Sequence, residues 1–227
     1  MPQLLKQTCR YTLWLGTAFA LATALLVLAL RWVDPPSSAV IQAWQLHSGR
    51  KAQQQWRPLE QISPHLQMAV IAAEDQKFPN HFGFDFAALQ KALSEDRRRT
   101  RGASTITQQT AKNLFLWNGR SYVRKGLEAW FALLMELLWS KERILEVYLN
   151  IAEFGNGVYG AEAAARRFYG TSARYLSRWQ SGLLAAVLPN PRRMSAQRPS
   201  RYVRGRAATI ERQARQLGGS RYLVNLR

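Results

Sequence analysis

Acidic residues are scarce in this chain. Fourteen Asp and Glu stand against 32 Lys and Arg over 227 residues, a formal net charge of +18. Such a balance points to a polyanionic partner: nucleic acid, an anionic membrane surface, or a phosphate-bearing substrate. Cysteine is nearly absent. Cys9 alone excludes an intramolecular disulfide and leaves the compartment unspecified by cysteine usage. The three histidines, His47, His65 and His81, are far apart, which argues against a structural zinc site. No run of alternating strands and no internal repeat is visible, so sandwiches, barrels and solenoids are disfavoured. With 47% hydrophobic residues, the chain can still bury a sizeable core.

One apolar run is long. Residues 11–30, YTLWLGTAFALATALLVLAL, carry no charge and lie between Arg10 and Arg31. A helix of that length spans roughly 30 Å, the thickness of a hydrocarbon core. The run reads as an uncleaved anchor. A cleaved leader is the rival reading, with small residues at Ala18, Ala20, Ala22 and Ala24, but the apolar character continues through Leu30. Lys6 and Arg10 precede the span, and after Arg31 the next base is Arg50. That asymmetry favours a cytoplasmic N-terminus and a domain outside the cytoplasmic membrane. The expected organisation is 1–10 cytoplasmic, 11–30 transmembrane, 31–54 linker and membrane-proximal segment, and 55–227 one mainly α domain with a basic C-terminal tail.

Helical signals dominate the remainder. Ser63 as cap and Pro64 at the first helical position open a helix running to the Glu74-Asp75 pair. A short amphipathic helix is expected over 85–93, then a charged, mobile loop over 94–103. A second capped helix begins at Ser104 or Thr105 and runs to about Phe115, before a turn at Asn118-Gly119. One long helical stretch is expected from Arg124 to Asn150, nearly all apolar between Ala129 and Trp139 and therefore central to the domain. GNG at 155–157 turns the chain. AEAAARRFYG gives a helix stopped by Gly170, and SGLLAAVLPNP gives a buried one stopped by prolines. From Pro191 the tail holds ten Arg against Glu211, a solvated face or a contact for anionic lipid headgroups.

Three places carry candidate chemistry. Glu74 at a helix C-terminus opposes the helix dipole, and apolar neighbours such as Phe78 would add desolvation. Both raise its pKa toward a general base's range; a solvated Glu at a fraying end is the plain alternative. The helix start at Ser104-Thr105 offers free N–H groups to an anion, with Thr105, Gln108, Gln109 and Lys112 on one polar face, though an ordinary capped helix would look the same. Arg124, Lys125 and Glu128 stand one turn apart, as a buried acid with basic neighbours or a structural salt bridge. Glu136 reads as a satisfied structural carboxylate.

These segments, in order, resemble the peptidoglycan glycosyltransferase family, found in class A penicillin-binding proteins and in monofunctional biosynthetic transglycosylases. EDQKFPNHFG, GASTITQQTAKN (Ala103 standing for a second Gly), RKGLEAWFALLME, RILEVYLN and GVYGAEAAARRFYG match its five motifs over about residues 55–195. The resemblance implies a lysozyme-like α fold and polymerisation of lipid II into β-1,4 glycan, with inversion and release of undecaprenyl pyrophosphate. It implies Glu74 as the base and Glu128 as the second catalytic acid. Asp75, Phe78 and His81 resemble the loop shaping the substrate site. With Ser104, Thr105, Gln109, Lys112, Asn113, Arg124 and Lys125 they make up the expected substrate-binding set. No cofactor is required by this reading, though it leaves room for a divalent cation near Glu74 or Glu128. Expected partners are lipid II, the growing lipid-linked glycan, the inner membrane and other cell-wall synthesis proteins, with no nucleic acid. A glycan-cleaving enzyme would also use a helix-end Glu, but would not need the basic set. A membrane-anchored nucleic-acid binder would be expected to show stacking aromatics on a basic face, whereas the aromatics here sit mostly in apolar runs. A non-catalytic scaffold would have no need of both glutamates. Ser48-Gly49-Arg50-Lys51 spells Ser-x-x-Lys without a Lys-Thr-Gly partner, so a monofunctional polymerase is expected. The span is expected to act as a tether, so that a chain beginning near Pro35 stays active in detergent.

Overall fold

The computed structural model describes residues 2–85, 90, 104–119 and 121–226. The short helix expected over 85–93 and the loop over 94–103, with Gly102 and Ala103, lie almost wholly outside them. The described helices are α1 (Pro2–Ala29), α2 (Ala39–Ser48), α3 (Pro64–Glu74), α4 (Ile106–Phe115), α5 (Tyr122–Leu138), α6 (Lys141–Ile151), α7 (Ala161–Tyr169), α8 (Arg178–Val187) and α9 (Arg201–Gln216). Three short strands, β1 (Gln53–Gln54), β2 (Glu153–Gly155) and β3 (Val158–Tyr159), form a sheet in the order β1-β3-β2. The architecture is mainly α, as the sequence implied.

The central helix is α3. Ser63 caps it by accepting the His65 N–H, Pro64 takes the first turn, and residues 66–72 are buried without a break. Leu66, Val70 and Ile71 are fully enclosed, each a side chain whose burial stabilises by about 1.5–3 kcal/mol. Helices α8 and α9 pack against α3, and Val203, Ala207 and Ile210 of α9 are buried there. The basic tail is therefore an integral helix of the domain rather than a detached solvated stretch.

The long helix expected over 124–150 is two helices. Ser140 accepts the Arg143 N–H and starts α6 anew after a break at Trp139. Nor is the apolar run of α5 central. Phe131, Ala132, Leu134 and Met135 face the core, while Leu133 and Leu137 are exposed and Trp130 packs toward α1. The run is apolar all round because one face meets the core and another meets the anchor.

That anchor is the apolar part of α1, Arg10–Ala29, with mean hydropathy 2.0 over its most apolar stretch and most of that stretch exposed. Its C-terminal turns are built into the domain. Trp130 Nε1 donates to Thr23 Oγ1 at 3.1 Å, and Trp139 Nε1 donates to the Val27 carbonyl at 2.7 Å. Val27 is fully buried in the main core. Arg143 then binds the carbonyls of Leu30 and Val33 and the Asp34 carboxylate. The end of α1 and the segment after it are thus packed and hydrogen-bonded onto the domain.

Residues 39–54, expected as membrane-proximal linker, fold as α2 and β1. The hairpin beneath α2 turns at Asn156-Gly157, where Trp44 Nε1 donates to Asn156 Oδ1. Asn150 closes the neighbouring junction. Its amide donates to the carbonyls of Arg57 and Glu146, and its Oδ1 accepts the Arg57 N–H. Glu162 is fully buried yet satisfied by Arg57, Arg166, Ser172 and the Ala173 N–H. Burial alone would raise its pKa; the Ala173 N–H and the two guanidinium groups outweigh that and hold it below the ordinary value.

Gly160 has φ +82°, and a Cβ there would lie 2.7 Å from the Asn150 carbonyl oxygen. Gly170 has φ +65° but faces open space. Gly170→Ala should therefore cost about 1–2 kcal/mol, the left-handed penalty alone. Gly160→Ala adds a backbone clash and should lower the melting temperature at least twice as far, read by circular dichroism of the full chain in detergent. The anchor makes a second prediction. Deleting residues 1–34 exposes Trp130 and Trp139 and leaves the Trp139 N–H unpartnered, so it should destabilise the domain by several degrees. Deleting residues 1–20, which keeps Thr23, Val27 and Leu30, should leave the melting temperature within about two degrees of the full chain.

Candidate active site

Glu74 is the last residue of α3, and its side chain is 14% exposed. Gln109 of α4 donates Nε2 to Glu74 Oε2 at 2.9 Å. Arg206 of α9 stands 3.9 Å from Oε1. Burial raises the Glu74 pKa, against the opposing pull of the Gln109 hydrogen bond and the charges of Arg206 and Lys112, while Asp75 adds to the rise. The direction matches the sequence argument, with burial rather than the helix dipole as the leading cause.

Asp75 does the bracing. Its Oδ1 lies 2.9 Å from His81 Nε2, and its Oδ2 accepts the Ile106 N–H at 3.0 Å. The free N–H expected at the start of α4 is thus already occupied by this carboxylate. Thr105, the actual cap, accepts the Gln108 N–H, donates to the Gly83 carbonyl at 2.7 Å, and forms a capping box with Gln108. At this helix end the Ile106 and Gln108 N–H groups are thus bonded within the protein. Ser104 lies exposed just before it. Phe78 is fully buried, with its ring near His81 and beneath Lys141 Nζ. It has no surface to offer a substrate, and with Asp75 and His81 it forms the scaffold of the loop.

Glu128 is 3% exposed and accepts from Arg124 Nη1 at 2.7 Å and from Lys125 Nζ. Lys112 of α4 lies within electrostatic reach of Glu128, Arg124, Lys125 and Glu74. Burial lowers its pKa, and Glu128 works against that. Arg124 Nε and Arg206 Nε are enclosed without a hydrogen-bond partner among the described residues, so the two guanidinium groups hold spare donors beside the cleft. A cavity of about 290 Å³ continues the cleft, lined by Gln109, Lys112, Asn113, Tyr148, Glu153 and Arg192 among others. Glu136, expected as structural, is satisfied by Thr107 and Lys141.

The structure thus sets Gln109 against Glu74 and Arg124 and Lys125 against Glu128, with Lys112 in electrostatic reach of both acids, while Gln109, Lys112 and Asn113 line the cavity. Arg206 and Tyr148 are the members sequence reasoning missed. Arg206 sits in a tail that read as a charge run, and Tyr148 in what read as core. Among the described residues no three His, Cys, Asp or Glu side chains converge. Asp75 and Glu128 have their oxygens bonded to protein donors, and no step is routed through a metal.

The chain is similar to proteins from several bacteria that carry the name biosynthetic peptidoglycan transglycosylase. The relative from Xanthomonas campestris pv. campestris (strain B100) is 54% identical over 230 residues, 98% of this chain and 94% of that protein. Relatives from Stutzerimonas stutzeri (strain A1501), at 55% over 231 residues, and Pseudomonas putida (strain GB-1), at 54% over 233 residues, cover 99% and 100% of this chain and 94% and 97% of their own lengths. The family model described as Transglycosylase matches residues 39–215, from the first residue of α2 almost to the end of α9. The chain belongs to the transglycosylase family.

Proposed function

We infer that this protein is a peptidoglycan glycosyltransferase of bacterial cell-wall synthesis that polymerises lipid II. The observation that carries the reading is the pairing of a buried glutamate of raised pKa, Glu74, with a second buried glutamate ringed by Arg124, Lys125 and Lys112. A diphosphate leaving group needs positive charge where its negative charge develops. A hydrolase of a neutral linkage does not.

In this reaction Glu74 takes the proton from the 4-hydroxyl of the acceptor lipid II. The freed oxygen attacks the anomeric carbon of the donor sugar from the face opposite the pyrophosphate. One C–O bond forms as the C–O bond to pyrophosphate breaks, the configuration inverts from α to β, and undecaprenyl pyrophosphate departs with the bonding electron pair. Lys112, Arg124 and Lys125 bind the departing phosphates, and Glu128 holds the two basic side chains of its own helix in place. Gln109 fixes the Glu74 carboxylate, while Asn113 and Ser104 contribute polar groups at the cleft. The anchor α1 keeps the site at the membrane that holds both substrates, which raises their effective concentration. Lys6 and Arg10 before the span orient the N-terminus toward the cytoplasm. The domain then works at the outer face of the inner membrane.

The direct test is incubation of the purified full chain with labelled lipid II in detergent, followed by separation of polymer from monomer. Glu74→Gln should lower polymer formation at least about 10²-fold, and near-normal polymer would remove Glu74 from the base's role. Glu128→Gln should cost a similar factor, and a loss under about threefold would leave it structural. Proton linkage gives a separate expectation. The folded Glu74 pKa lies above the ordinary 4.5, so the folded state holds the proton more tightly. Stability is then lost as pH rises from the unfolded pKa through the folded one. Glu74→Gln should therefore melt no lower than wild type at pH 7–8, and any gain should shrink as pH falls toward 4. The acid limb of the wild-type pH–rate profile should lie above 4.5, because the base must be ionised. A variant that melts well below wild type at neutral pH would show that the ionised Glu74 stabilises the fold.

A further inference from the structure

The partners of Gln109 run in only one direction. A carboxylate accepts and does not donate, so Glu74 Oε2 requires the amide nitrogen of Gln109, as the 2.9 Å contact has it. Gln109 Oε1 is then left facing inward. Tyr148 Oη lies 3.2 Å from it and must be the donor. Tyr148 belongs to α6, where Ile144, Leu145, Val147, Leu149 and Ile151 are all buried hydrocarbons. Its own side chain is 1% exposed. A Phe would fill that space as well, and burying a hydroxyl costs free energy unless it finds a partner. The hydroxyl finds that partner in the Gln109 amide.

We propose that Tyr148 is a positioning residue for the base: by donating to Gln109 Oε1, its hydroxyl locks the Gln109 amide with Nε2 toward Glu74. The proposal rests on Glu74 as the base in the reaction above. An amide rotated by half a turn would set its oxygen against the carboxylate oxygen, acceptor against acceptor, and leave Glu74 without that donor. Tyr148 is suited to the task because its proton does not leave. Burial, and then the nearby Glu74 and Asp75, raise its hydroxyl pKa well above 10.0, so it remains a neutral donor throughout the working range. The charged groups that face Glu74 are Asp75 at the end of its own helix, Lys112 on α4 and Arg206 on α9. The Tyr148 hydroxyl is hydrogen-bonded to Gln109, and Gln109 to Glu74, so its removal acts on the carboxylate by way of that amide.

The sign of the effect is fixed. The Gln109 hydrogen bond favours the ionised carboxylate. With the Tyr148 hydroxyl removed, the amide turns freely, the carboxylate loses that stabilisation, and its pKa rises. In Tyr148→Phe the acid limb of the kcat profile should move to higher pH. Turnover on the plateau should fall about tenfold, the scale of one lost hydrogen bond to a charged group's partner, with KM for lipid II within about twofold. Gln109→Met, which keeps the shape and deletes the amide, should move the limb in the same direction. In the Gln109→Met background, adding Tyr148→Phe should change neither limb nor turnover, because the hydroxyl acts through the amide. An unmoved acid limb in Tyr148→Phe overturns the proposal, as does a Tyr148→Phe penalty that persists in full beside Gln109→Met. If Tyr148→Phe does not fold, Gln109→Met carries the test alone, and an unmoved limb in that variant overturns the proposal equally. Full activity in Glu74→Gln would instead strike the assignment of the base itself, a result distinguishable from either.

Discussion

The site depends on one carboxylate that does no chemistry. Asp75 joins the end of α3 to the start of α4 by accepting the Ile106 N–H, and it holds His81 with its other oxygen. It is 8% exposed, so both bonds are made where water competes little. The link sets the angle between two helices. Because α3 ends at Glu74 and α4 carries Gln109 one turn inside, that angle decides whether the Gln109 amide meets the Glu74 carboxylate. The loop from Phe78 to His81 is fixed by the same group, with Lys141 tying the His81 carbonyl to Glu136 of α5. Leaving Asp75 out would free the Ile106 N–H, release His81 and loosen the base at once. A buried charge removed from such a network costs more than its pairwise bonds suggest.

The sequence exposed the order of the chemistry more readily than its arrangement. Apolar stretches beside Glu74 and Glu128 made them candidates, but their roles came from the family resemblance; the Ser63-Pro64 cap set the start of α3. Arg206 was not legible. It lies in a run with ten arginines, and nothing in the local pattern distinguishes the one that turns inward against α3. Tyr148 was hidden for the opposite reason, since an aromatic among Ile, Leu and Val reads as core, which in volume it is. The three strands escaped because two or three residues cannot display an alternation. Their pairing comes from the Asn156-Gly157 turn and from Trp44 packed above it. The break at Trp139 was lost inside an unbroken apolar stretch, although Ser140 is an ordinary helix cap.

The apolar excess of α5 has a consequence for how the domain meets the membrane. A single span on a flexible linker would let the cleft face any direction. Here Thr23, Leu30 and Asp34 are held by residues of α5 or α6, and Val27 by Trp139 at the break between them. The last turns of α1 and the body of the domain therefore move together. The exposed Leu133 and Leu137 lie on the helix that receives the anchor, which adds an apolar margin beside the span.

Two demands conflict in the cleft, and the structure separates them in space. Phosphates require cations, yet cations close to a carboxylate hold its pKa down and weaken it as a base. Three of the basic groups are gathered at Glu128, where two of them, Arg124 and Lys125, bond the carboxylate directly. Lys112 feels both acids, and burial lowers its own pKa. Glu74 meets its nearest full cation, Arg206, only at 3.9 Å and takes a neutral amide as its close donor. With burial the largest influence on its pKa, Glu74 keeps a raised proton affinity inside a protein of +18. A base bonded directly by Arg or Lys would be a poorer acceptor for the hydroxyl proton, because a close cation favours the ionised carboxylate. The neutral Gln109 at the base is therefore as much a part of the electrostatic design as the cations are.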